Sequence, residues 1–138
     1  MEEKFRQIMD SVNQKNRFLE GSGLKIVQIE QDETLACMDA GPNDLNIYGM
    51  VHGGALFSLA DMAAGVCALT RTQNVVTLSS SINFVKAAKP GRIYAKAKAV
   101  HAGRSTGVYE VSIYGADEIL CAKATFTMYF FGKERPHV

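Results

Sequence analysis

Apolar residues at positions 5, 8, 9 and 12 (Phe5, Ile8, Met9, Val12) follow the i, i+3, i+4, i+7 spacing of a short amphipathic helix. The run GSG at Gly21–Gly23 breaks it. Leu24–Ile29 and Thr34–Met38 then read as two strands around the polar turn EQDE, and GPND (Gly41–Asp44) is a second break. A long apolar stretch of small residues predicts a helix from near Gly53 to near Thr70. Four strands are expected after it. In the first, Val76, Leu78, Ile82 and Phe84 share one face. In the second, Ile93, Ala95, Ala97 and Ala99 face one way and Arg92, Tyr94, Lys96 and Lys98 the other. The third covers roughly Thr106–Tyr114. The fourth carries Leu120, Ala122, Ala124, Phe126, Met128 and Phe130 on one face. KPG and HAGRS are the turns between them, and the tail GKERPHV is expected to fray. Strands in runs, without a helix between each pair, indicate an α+β protein with an antiparallel sheet. The alanine face of the second strand and the alanines of the helix allow close approach, so a sheet wrapped around one helix is the simplest arrangement.

Length and composition support that picture. A chain of 138 residues, 47% apolar and 21% charged, suits one domain over residues 1–138, with residues 1–20 as an N-terminal helical segment. A net charge of +1 points away from nucleic acid. The charges are unevenly placed, however. From Met62 to Tyr109 there is no Asp or Glu, while Arg71, Lys86, Lys89, Arg92, Lys96, Lys98 and Arg104 all fall there. This stretch reads either as solvated strand faces or as a basic surface for a phosphorylated ligand. Cys37, Cys67 and Cys121 are odd in number and widely spaced, which fits reduced thiols in the cytoplasm. The charged N-terminus MEEKFRQIMD has no signal-peptide pattern. Val51–Thr70 is nearly long enough to span a membrane, but Asp61 at its centre favours a soluble central helix.

Asp61 also raises the chemical question. A buried carboxylate must be paired, exposed or functional. The first amides of a helix have no internal partner and sit at its positive end, and glycine there admits a ligand atom to the backbone. Gly53 and Gly54 therefore read either as a tight entry turn or as an oxyanion-binding amide. His52 and Asn46, taken singly, read as hydrogen-bonding loop residues. The three histidines (52, 101 and 137) are not at metal-ligand spacing, so no metal is expected.

Taken together, Asn46, the run His52-Gly53-Gly54 and Asp61 closely resemble the hotdog-fold acyl-CoA thioesterases, nearest the phenylacetate-degradation, PaaI-type branch. HGGALFSLADMAAG, SSSINFVKAAKPG and AGRSTGVYEVSIY carry the resemblance over about the last 115 residues. It implies a hotdog fold, with an antiparallel sheet of six strands around the long helix. It implies Asp61 as general base or nucleophile on a thioester carbonyl and the Gly53 amide as donor to the carbonyl oxygen. Asn46 would orient the thioester or the water, and His52 would support the loop. Thr77 would place a hydroxyl near the attacking water, with Ser79 as the competing choice on the same face. Arg104 and Ser105 would touch the coenzyme A nucleotide. Coenzyme A enters as part of the substrate and no separate cofactor is implied. Phe57 and Met62 suggest an apolar pocket. Gly53 and Asp61 are eight residues apart, about 12 Å along a helix axis. One carbonyl cannot easily meet both in a single chain. The resemblance answers with a homodimer that shares its sites, assembled further as a dimer of dimers. A hotdog hydratase or dehydratase and a non-catalytic acyl-CoA-binding protein are the alternatives.

Overall fold

The computed structural model describes residues 1–18 and 21–132. Its elements are α1 (Glu3–Lys15), β1 (Lys25–Glu30), β2 (Glu33–Ala40), a 3₁₀ turn (Pro42–Asp44), α2 (Gly53–Ala68), β3 (Val75–Phe84), β4 (Gly91–Ala102), β5 (Thr106–Tyr114) and β6 (Leu120–Phe130). Every element expected from the hydrophobic pattern is present. The tail expected to fray lies, beyond Gly132, outside the described residues.

The strands form one antiparallel sheet in the order β1-β2-β4-β5-β6-β3. Helix α2 packs against one face of it. Leu56, Leu59, Ala60, Ala63, Ala64 and Cys67 are buried against Ala95 and Ala97 of β4, Val111 and Ile113 of β5, and Phe126 and Met128 of β6. The alanines on both sides let the helix axis come close to the sheet. Each fully buried Leu or Ile in this layer contributes on the order of 1.5–3 kcal/mol. Phe57, half-buried, packs its ring 5.4 Å from that of Phe126 and belongs to this layer. Helix α1 covers β1 through Phe5, and the Asn13 side chain bonds both backbone groups of Ile26.

The expected face of β3 needs correction. Val76, Leu78, Ile82 and Phe84 do not share a face, because a bulge between Thr77 and Ser79 inserts an extra residue and shifts the alternation. Thr77 lies opposite Met128, Ser80 opposite Phe126 and Ile82 opposite Ala124, all on the helix side. Val76 lies opposite Tyr129 and Ser79 opposite Thr127, on the outer side. Ser79 therefore does not share a face with Thr77, and the competing choice is removed.

The far end of α2 is pinned to the β1–β2 turn. Asp32, at φ +63°, accepts from Arg71 Nε at 2.8 Å and Nη2 at 2.6 Å, and its backbone N–H donates to Thr70 Oγ1 at 3.1 Å. The hydrogen bond from Arg71 holds the Asp32 carboxyl below its ordinary value of 3.8, against a smaller opposing effect of burial. A depressed carboxyl stabilises the fold above its unfolded value and loses that contribution as pH falls through its folded value. Asp32→Asn, which tolerates the same positive φ, is expected to lower the urea midpoint modestly at neutral pH. The difference from wild type should close as pH falls below 3.8. A gap that persists unchanged in acid would show that the pair does not act through this charge.

The three cysteines are unpaired and buried, and burial raises each thiol, Cys67 to about 12.

Candidate active site

The loop entering α2 is built by its own polar side chains. Asp44 is buried, with Ser22 Oγ donating to its Oδ1 at 2.6 Å and the Gly41 N–H to its Oδ2 at 2.9 Å. Its carbonyl accepts from the His52 N–H at 2.7 Å. Asn46 Oδ1 accepts from the backbone N–H of Tyr48 (2.9 Å) and Met50 (3.2 Å), an Asx turn closed at Gly49, where φ is +77°. The Val51 N–H donates to the Ala88 carbonyl at 2.8 Å, which brings the segment after β3 beside the helix start.

His52 is the N-cap of α2, and its Nδ1 accepts from the Gly54 N–H at 3.0 Å. That bond distinguishes the two adjacent glycines. The Gly54 amide is occupied, whereas the Gly53 amide donates to no group among the described residues. It is an orphan donor at the positive end of a sixteen-residue helix. A Cβ at Gly53 would lie 3.1 Å from the exposed Phe84 ring, which would have to turn slightly to admit it. The Asn46 NH₂, whose oxygen is already engaged, likewise has no acceptor among the described residues. Gly53, Asn46, Phe84 and Lys86 line one cavity. Two free N–H donors on one cavity suit a carbonyl oxygen that gains negative charge.

Asp61 sits two turns further along α2, half-buried. Thr77 Oγ1 donates to its Oδ1 at 2.6 Å and lies 3.4 Å from Met128 Sδ. This bond answers why a carboxylate is tolerated within an apolar helix: one oxygen is satisfied by β3, and the side chain faces a groove of about 560 Å³. Met62 lines the same groove and also accepts from Asn16 Nδ2 at 3.5 Å.

The structure thus joins Asp61 to Thr77, and Gly53 to Asn46 with His52 as cap, but it places the two pairs on separate cavities. Arg104 and Ser105 line neither. They form the exposed β4–β5 turn, where the Ser105 carbonyl accepts from the Phe130 N–H at 2.8 Å. Lys86 and Phe84, which flank Gly53, were not singled out as site residues by the sequence. Phe84 closes the strand that follows the helix, and Lys86 lies two residues beyond it within the acid-free basic stretch. Among the described residues no group of three His, Cys, Asp or Glu could hold a metal ion, and no helix is long and apolar enough to cross a membrane.

A family model described as the thioesterase superfamily matches residues 48–122, more than half of the chain. The chain belongs to the thioesterase superfamily. Its six-stranded sheet around one helix is the hotdog fold, and its enzyme class is thioester hydrolase. Among relatives, ComA2 of Bacillus subtilis strain 168, a candidate esterase, is 33% identical over 121 residues, covering 85% of this chain and 96% of that one. The PaaI protein of the phenylacetic acid degradation operon of E. coli superposes with a TM-score of 0.88 at 25% identity, covering 94% of both chains. The resemblance to the PaaI-type branch is borne out. A hypothetical thioesterase from Streptococcus pneumoniae TIGR4, solved with coenzyme A, is 35% identical with a TM-score of 0.74, covering 79% of this chain and 89% of that one. The same protein has been solved with a threonine, and separately with an aspartate, replaced by alanine.

Proposed function

We propose that the protein hydrolyses acyl-CoA thioesters at sites shared between two copies of the chain. The observation that carries this reading is the division of one helix between two cavities. The free Gly53 amide faces one, and the carboxylate held by Thr77 faces the other, about 12 Å along the axis. A second copy related by a two-fold axis brings Gly53 of each chain to Asp61 of the other. The edge of the sheet supports such pairing. β3 is a ten-residue edge strand paired on one side only, with Val76 43%, Leu78 62% and Phe84 51% exposed. A long exposed edge that carries apolar side chains invites another strand.

In this site the thioester carbonyl oxygen accepts from the Gly53 N–H and the Asn46 NH₂. Asp61 Oδ2 takes a proton from a water that attacks the carbonyl carbon. The tetrahedral oxyanion is held by the same two donors. It collapses with cleavage of the C–S bond, and the thiolate of coenzyme A leaves and is protonated. Water and thioester give acid and thiol, with no cofactor beyond the substrate's own coenzyme A. Thr77 fixes the carboxylate. The aspartate and threonine replaced in the S. pneumoniae protein are sixteen residues apart, the separation of Asp61 and Thr77. His52 holds the loop. Arg104 and Ser105, exposed in their turn, take the nucleotide end of coenzyme A. The buried, unpaired cysteines fit the cytoplasm.

Release of free thiol from a panel of acyl-CoA thioesters, followed with a thiol reagent, tests the reading. Binding without release supports a sensor, and a change at an acyl double bond supports a hydratase. Arg104→Ala is expected to raise KM for acyl-CoA and leave kcat largely intact, because a contact remote from the carbonyl acts as uniform binding. The effect should shrink for a pantetheine thioester that lacks the nucleotide phosphates. An equal loss on both substrates would remove Arg104 from the nucleotide contact.

A further inference from the structure

We infer that Gly65 sets acyl specificity: its missing side chain widens the groove beside Asp61 for acyl groups that are broad next to the carbonyl, such as an aromatic ring. The inference rests on Asp61 as the group that meets the thioester. Gly65 lies four residues after Asp61, one helical turn on and on the same face, and both line the groove.

Glycine within a helix is less stable than alanine, so its presence calls for a reason. At some glycines of the chain the reason is a positive φ, as at Gly49 and Gly91, and at others it is crowding. A Cβ at Gly107 would lie 2.7 Å from the Phe130 ring, and one at Gly53 would lie 3.1 Å from Phe84. At Gly65 nothing lies within 4 Å. Packing inside the chain does not demand glycine there, so what occupies the space comes from outside it.

The groove wall identifies the occupant. Met62, Val66, Leu69, Val75 and Met128 make it mainly apolar beside Gln73, Asn74 and Thr77, and none of its lining residues is Lys or Arg. The phosphates of coenzyme A need cations, and Lys86 stands beside Gly53 in the other cavity. The acyl group therefore takes the groove, and coenzyme A leaves on the Gly53 side. The gap at Gly65 begins one turn, about 6 Å along the axis, beyond the carboxylate. A linear chain needs no extra width so close to the carbonyl, whereas a ring attached there does.

The test compares wild type, Gly65→Ala and Gly65→Leu on acetyl-CoA, hexanoyl-CoA and benzoyl-CoA. Both substitutions improve helix propensity, so folding is retained and is checked by thermal melting. For Gly65→Leu, kcat/KM on benzoyl-CoA is expected to fall about tenfold or more relative to acetyl-CoA, with Gly65→Ala between. Inhibition by free coenzyme A should stay unchanged. An equal change on all three substrates, or none, overturns the inference and leaves the thioesterase reading standing. Weaker inhibition by coenzyme A would assign the groove to pantetheine and overturn it too. Loss of the dimer on size-exclusion chromatography would assign the space to a second helix and would equally overturn the acyl assignment. Wild type that releases thiol from none of a wide acyl-CoA panel would bring down the functional reading itself, and this inference with it.

Discussion

Asp61→Asn is expected to fold, to bind acyl-CoA and to lose about 10²–10⁴ in kcat, the range for removal of a general base. The geometry makes this substitution unusually clean. Thr77 Oγ1 donates to Asp61 Oδ1, and the carbonyl oxygen of asparagine can accept the same bond. Side-chain volume, the contact with β3 and the groove are kept. What disappears is the second carboxylate oxygen, which becomes an NH₂ that cannot accept a proton from water. Thermal melting should show little change, and calorimetry with acyl-CoA should show binding close to that of wild type. Near-normal thiol release from this variant would sink the assignment of Asp61, whatever the fold.

How far this site is legible in the sequence is seen best at adjacent residues. A long unbroken run of small apolar residues located α2, and periodicity located β4 because Ala95 and Ala97 alternate with Lys96 and Lys98 without interruption. The same rule failed on β3. A strict period of two assumes an unbroken ladder, and the bulge between Thr77 and Ser79 breaks it, which moved Ser79 to the outer side. Nothing in TLSSS marks which residue will be the extra one. The adjacent pair Gly53-Gly54 was equally silent. Only the bond from the Gly54 N–H to His52 Nδ1 shows which amide is free. Asn46 read singly as a turn residue and, through the resemblance, as a residue that orients the thioester or the water; its oxygen closes the turn, and the residue lines the cavity beside Gly53. Lys86 was hidden because it reaches Gly53 through the Val51–Ala88 bond, a contact across many residues that no local pattern encodes. The proposed joining of the two halves across two chains can be tested with two defective ones.

Co-expression of Asp61→Asn with Gly53→Pro is expected to restore roughly a quarter of wild-type activity from two inactive parents. Gly53 is the first residue of α2, where proline is tolerated and where its only chemical loss is the N–H. The proline ring would press on Phe84, but that side chain is 51% exposed and has room to turn. If each site takes its amide from one chain and its carboxylate from the other, a mixed dimer collects both lesions in one site and none in the other. Random pairing makes about half of the dimers mixed, and each has one intact site of two. If instead each site lay within one chain, every site in the mixture would carry a lesion and no activity would return. Circular dichroism and size-exclusion chromatography establish that both variants are folded and dimeric, and differential tags isolate the mixed species. Purified mixed dimers should then show about half of wild-type kcat with an unchanged KM, because the intact site is unaltered. Inactive mixed dimers from well-folded parents would rule out the shared site.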